Sequence, residues 1–260
     1  MREGDLKINI CHLYPDLLDL YGDRGNILAL AARCRWRGLE AVVERASLGD
    51  ELNFRAMDIL FIGGGSDREQ GLLVEDLMKR RDELKTAVAD GLVVLAICGG
   101  FQLLGEYYQM GGGEKIPGLG IIDVFTVAGA KRLIGNVAVE LNPGVMELGQ
   151  QGKNQISLRT LVGFENHSGK TYLGQGVSPL GRVLSGHGNN GEDLSEGVRW
   201  RNIFGTYLHG PLLPKNPHLA DLLLELACER RGYALPLPVL DDKLEILAHR
   251  TIFERLVGVG

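Results

Sequence analysis

What the 260-residue chain lacks narrows its chemistry before any motif is considered. Its four cysteines, Cys11, Cys34, Cys98 and Cys228, form no C-x-x-C pair. Neither a zinc ribbon nor a disulfide framework is indicated, no metal is expected, and a reducing compartment suits them. No run of eighteen apolar residues occurs, and the amino end, MREGDLKINICHLYPDLL, lacks the apolar core and small-residue cleavage site of a signal peptide. The expectation is a cytoplasmic protein that does not span a membrane. A Lys/Arg-dense stripe is also absent, and the formal net charge is -5, which argues against a nucleic-acid partner. Repeats, low-complexity tracts and a domain-separating linker are missing too. Residues 1–260, 45% of them hydrophobic, therefore read as a single domain with one core.

An ATP site is missing as well. The run from Gly163 to Thr171, GFENHSGKT, places five residues between its glycines where a phosphate-binding loop needs four, and no helix-forming segment follows it.

What is present is an α/β pattern. Short Val- and Ile-rich runs at 7–14, 39–46, 57–62 and 92–97 read as strands, and 26–37 and 69–89 carry apolar residues at helical spacing. Such alternation predicts a mostly parallel central sheet covered by helices. Beyond about residue 116 the strands are broken by Gly, Pro and Asn, which predicts an additional antiparallel or mixed layer. Residues 202–209 read as a last strand. Asn216-Pro217 supplies an N-cap and first-turn proline for a helix ending at Gly232, and a final helix covers about 241–256.

The segment LVVLAICGGFQLLGEYY puts Cys98 where an apolar strand stops and a helix begins, with Gly99 and Gly100 directly after it. Such a turn lifts a nucleophile above the sheet edge, where helix amides and a histidine favour the thiolate. Cys11, Cys34 and Cys228 lie inside strand or helix patterns and read as core. Of six histidines, His209 ends a predicted strand before the loop GPLLPKNP, at the edge where a parallel sheet exposes its active side chains. His12, His187, His218 and His249 read as surface or core residues. The Gly99 amide suits an oxyanion donor, and the loop Gly63-Gly64-Gly65 after the third strand offers a second. Gln102, one helical turn beyond Cys98, is placed to face a substrate amide or the loop framing it.

AICGGFQLLG resembles the nucleophile elbow of class I glutamine amidotransferases, and GTYLHGPL resembles the histidine strand of their cobyric-acid-synthase-like branch. LYPDLLDLYGDRGNILAL, FIGGGSDREQ, KRLIGNV and GFENHSG resemble, more narrowly, the GatD-type glutaminase subunits of lipid II isoglutaminyl synthases. The resemblance implies a flavodoxin-like three-layer sandwich and hydrolysis of L-glutamine through a Cys98 thioester. By analogy it selects Gly64 or Gly65 as the second oxyanion donor and Arg132 as the binder of the glutamine α-carboxylate, and it brings Asn166 and His167 near the substrate. It also implies a partner, a MurT-type Mur-ligase-like synthetase forming a heterodimer. That partner would carry ATP and magnesium and amidate the D-glutamate α-carboxyl of lipid II, while this chain holds no cofactor. Alternatives are the glutaminase of a cobyrinate-type amidotransferase and a PfpI-like cysteine hydrolase, although Gly99 stands where the protease members of the latter carry histidine.

One departure stands out. Class I enzymes carry a glutamate two residues beyond the histidine, and here that residue is Pro211. A carboxylate from elsewhere in the chain, such as Glu165, a dyad without an acid, or an acid from the partner subunit are the three remaining sources. The partner is the favoured expectation, since it would tie ammonia production to assembly.

Overall fold

The structure, a computed structural model, describes residues 6–65, 67–148 and 158–258. In chain order the first half runs β1 (Lys7–Leu13), α1 (Arg24–Trp36), β2 (Glu40–Ala46), β3 (Ile59–Ile62), α2 (Asp67–Lys79), α3 (Arg81–Ala89), β4 (Val93–Ile97) and α4 (Gly99–Leu104). The second half runs β5 (Tyr107–Gln109), β6 (Lys115–Pro117), β7 (Val124–Leu141), α5 (Pro143–Leu148), β8 (Thr160–Leu173), β9 (Gly181–Ser185), β10 (Ser195–Glu196), β11 (Val198–Trp200), β12 (Ile203–Thr206), α6 (Pro217–Arg230) and α7 (Lys243–Val257).

Two sheets result. The first has the order β11-β12-β4-β3-β1-β2 and is parallel except for β11. Its inner strands β3 and β4 are buried at every residue, as expected for parallel strands covered on both faces. The second has the order β10-β9-β7-β5-β6, with β8 paired to β7, and is antiparallel apart from the β5–β7 pair. This is the α/β sandwich with an added mixed layer that the sequence pattern predicts. One buried apolar cluster runs through both sheets, from Ile10 and Phe61 to Val139 and Leu161. Among the described residues no helix is long and apolar enough to cross a membrane.

Local departures have physical causes. The helix expected over 69–89 breaks at Arg80, so that Leu73 and Leu77 of α2 and Leu84, Ala87 and Val88 of α3 are all buried. Periodicity is blind to such a bend because both halves keep helical spacing. Helix α1 ends before Gly38, whose φ of +72° suits a residue without Cβ. Asn216 is the N-cap residue of α6, as expected, but its side chain makes no capping hydrogen bond. Its amide instead accepts from the Val162 N–H at 3.0 Å and donates to the carbonyls of Val162 and Leu212, pinning β8 to the loop before the helix. The GFENHSGKT run lies within β8, an extended strand that forms no phosphate cradle.

Candidate active site

The elbow forms where β4 ends. Cys98 has φ +50° and ψ -106°, a conformation rare for a residue with a side chain, and its N–H donates to the Thr206 carbonyl at 2.8 Å. Gly100 is required beside it, because a Cβ there would stand 2.6 Å from the Ile62 carbonyl oxygen. Burial pushes the thiols of Cys11 and Cys34 up to about 12 and that of Cys228 up to about 11, so these three stay protonated. Cys98 alone sits on a strained turn at the start of a helix.

His209 reaches this thiol by an unexpected route. Strand β12 stops at Thr206, and His209 exchanges backbone hydrogen bonds with Phe164 of β8 in the other sheet. The ring is fully buried, and its Nδ1 lies 3.1 Å from each carboxylate oxygen of Asp23, itself fully buried. Nε2 has no conventional hydrogen-bond partner among the described residues, and Cys98 is the ionisable group beside it. Burial opposes charging of the ring, but Asp23 and Cys98 outweigh it and raise its proton affinity above the ordinary imidazole value. Gly64 lies among all three: a Cβ there would be 2.6 Å from His209 Cε1, 3.3 Å from Asp23 Oδ2 and 3.5 Å from Cys98 Cβ.

Within this chain the carboxylate that meets His209 is Asp23, immediately before α1, a source elsewhere in the chain that the sequence does not single out. Glu165 has other work, since its carboxylate accepts from His187 Nδ1 at 2.6 Å and from the amides of His187 and Gly188. The expected role of Gly64 changes too. Its N–H donates to Asp23 Oδ2 at 2.9 Å and is not free for an oxyanion. Gly65, next in the loop, and Gly99, whose amide is in the first turn of α4 and lacks an intrahelical acceptor, are the remaining predicted donors.

Above His209 lies Tyr21, missed in the sequence reading. Its ring meets the imidazole edge-on at 4.9 Å and Phe164 at 6.1 Å. The Tyr21 hydroxyl accepts from Asn166 Nδ2 at 2.8 Å, and Asn166 Oδ1 accepts from Arg132 Nε at 2.8 Å. Arg132 and Asn166 therefore sit together at the exposed rim, joined to the buried histidine through Tyr21. A guanidinium there can receive a carboxylate.

Gln102 and His167 are placed differently. Both are buried, Gln102 donating to the Tyr207 hydroxyl at 2.9 Å and His167 stacking on the Tyr207 ring at 3.7 Å while its Nδ1 donates to the Gly169 carbonyl. Burial pushes the His167 imidazole down to about 4. Both pack around Tyr207 inside the protein. Of the other histidines, His12 packs edge-on against Phe61, His187 holds Glu165, and His249 bridges Thr160 and the Lys215 carbonyl.

Comparison with known proteins identifies the family. The profile of the CobB/CobQ-like glutamine amidotransferase domain matches residues 9–217. The subunit GatD of a lipid II isoglutaminyl synthase (glutamine-hydrolyzing) from Staphylococcus aureus is 42% identical over 96% of both chains. Its namesake from Streptococcus pneumoniae is 39% identical over 92% of this chain and 87% of its own. The fold is shared with a crystallised glutamine amidotransferase at a TM-score of 0.55 and 20% identity, over 84% of this chain and 98% of that one. A second, from Thermotoga maritima, gives 0.53 and 15% over 96% and 98%. The chain belongs to the CobB/CobQ-like family of glutamine amidotransferases.

Proposed function

We propose that the chain is the glutaminase subunit of a lipid II isoglutaminyl synthase, hydrolysing L-glutamine and supplying ammonia to a separate synthetase. The observation that carries the chemistry is the Cys98–His209–Asp23 arrangement closed around Gly64 on a strained elbow. The thiolate of Cys98 attacks the side-chain amide carbon of glutamine, and the resulting oxyanion takes hydrogen bonds from the Gly99 and Gly65 amides. Imidazolium His209 gives its proton to the departing nitrogen, so ammonia leaves and a γ-glutamyl thioester remains. His209 then takes a proton from water, whose oxygen attacks the thioester. Collapse of the second oxyanion expels the thiolate and yields glutamate. Asp23 holds the ring in position and stabilises its charged form, and Arg132 binds the substrate α-carboxylate.

The pathway reading is supported by the names of the two GatD relatives, which span nearly the whole chain. Amidation of a carboxylate needs activation. That need is met by a separate ATP- and magnesium-dependent synthetase, and the resemblance to GatD-type subunits makes it a MurT-type partner in a cytoplasmic heterodimer that amidates the D-glutamate α-carboxyl of lipid II.

The test measures ammonia release from L-glutamine, with Cys98→Ala as control and casein as an alternative substrate. Ammonia release that is lost in Cys98→Ala supports the reading. Casein hydrolysis, or turnover that survives loss of Cys98, overturns it. Glutamine-dependent amidation of lipid II by the complex with the synthetase tests the pathway, and failure of a one-to-one complex to perform it removes that assignment.

A further inference from the structure

At Thr206 the chain begins to cross between sheets. Thr206 still pairs with Ile97 of β4, and its carbonyl holds the Cys98 amide, but His209 already belongs to the ladder of β8. The intervening amides of Tyr207 and Leu208 leave the parallel sheet where both residues are 0% exposed. Buried amides require acceptors. Glu196, on the two-residue strand β10, supplies them from the opposite sheet. Its Oε1 accepts from the Thr206 hydroxyl at 2.6 Å and from the Tyr207 N–H at 2.9 Å, and the Thr206 oxygen in turn accepts from the Leu208 N–H at 3.0 Å.

Glu196 is itself wholly buried, and its Oε2 has no hydrogen-bond partner among the described residues. Burial pushes its carboxyl up to about 7, so charging the group there is costly, and a side chain that merely filled space would avoid that cost. What the carboxylate accomplishes is local: one oxygen fixes the three residues that lead from the Cys98 amide to the His209 ring.

We infer that Glu196 is a positioning residue for the reaction, clamping Thr206, Tyr207 and Leu208 so that His209 meets Cys98 at the correct approach. The turnover part rests on the glutaminase reading, whereas the thiol–imidazole pairing can be read without it.

The test uses the full chain and compares Glu196→Ala, which removes the acceptor, with Glu196→Gln, which retains one. Two rates are measured: iodoacetamide alkylation of Cys98 at neutral pH, with Cys98→Ala as blank, and steady-state ammonia release. Misplacement of His209 by a fraction of an ångström predicts a fall in kcat of about ten- to hundredfold in Glu196→Ala, with KM within about threefold of the parent. Alkylation slows by about tenfold in the same variant, and Glu196→Gln restores both rates to within about threefold. Parent-like alkylation and kcat in folded Glu196→Ala overturn the proposal, even if its thermal midpoint drops. If that variant does not fold, Thr206→Val removes the hydroxyl relay to Leu208 at nearly constant volume. Slowed alkylation there upholds the clamp, and an unchanged rate overturns it. If the unaltered chain releases no ammonia, the glutaminase reading fails, while the alkylation comparison still decides the role of Glu196.

Discussion

Replacing Asp23 by Asn removes one charge and little volume, at a side chain that meets His209 Nδ1 with both oxygens at 3.1 Å. Opposite charges at that separation attract by about 5 kcal/mol at an effective dielectric of ~20, and desolvation offsets much of this. Hydrogen bonds to charged groups retain about 1.5–3 kcal/mol net, which corresponds to roughly ten- to hundredfold in kcat/KM. The sign follows from the proton affinity of His209. Asp23 and Cys98 raise it against burial, so losing the carboxylate lowers it and depletes the imidazolium at neutral pH. Ammonia release and Cys98 alkylation, each followed across pH, should both fall near neutrality. The measurement is made with and without the synthetase. Unchanged kcat/KM and superimposable alkylation profiles in Asp23→Asn would refute the assignment, and an effect confined to the isolated chain would return the orienting acid to the partner.

Other outcomes follow from the same geometry. Gly64→Ala places a methyl 2.6 Å from His209 Cε1 and should reduce kcat by about 100-fold while the protein stays folded, as judged by circular dichroism; normal turnover would contradict the close approach. Arg132→Lys keeps the charge but loses the planar fork, so the KM for glutamine should rise by about tenfold at nearly constant kcat, and an unchanged KM would remove Arg132 from the carboxylate site. His167 titrates near 6.5 when unfolded and about 4 when folded, so the unfolded chain binds the extra proton between these values. Stability is therefore full above about 6.5 and falls as pH drops toward about 4. His167→Phe, which preserves an aromatic ring over Tyr207, should show a shallower decline of the melting temperature over that range, and an identical decline would contradict the assignment.

The readable parts of the sequence were those with local signatures. Six apolar residues before Cys98 and two glycines after it announce a strand, a turn and a helix together, and the structure has all three. The loop after β3 was equally visible as three glycines, but the direction of the Gly64 N–H was not, since it depends on Asp23, 41 residues away. Asp23 itself lies just ahead of α1, on the edge where the strands of a parallel sheet end. That position was an available signal, but no spacing links it to His209, 186 residues distant. Glu196 and Tyr21 were hidden for the same reason. Each acts across the junction of two sheets or over a ring brought in by another element, and such pairings leave no periodicity in the chain. Gln102 lies on the helix turn that its spacing from Cys98 predicts, yet its partner Tyr207 is determined by the crossing after β12.

The central claim is that Cys98 carries a γ-glutamyl group during glutamine hydrolysis. Acid quenching of the isolated chain in turnover with L-glutamine, followed by mass spectrometry, measures it directly. The account predicts the mass of one γ-glutamyl group on the peptide containing Cys98, absent from Cys98→Ala. Ammonia release at the full rate with no adduct at Cys98 under any quench, or an adduct on a different residue, would contradict it.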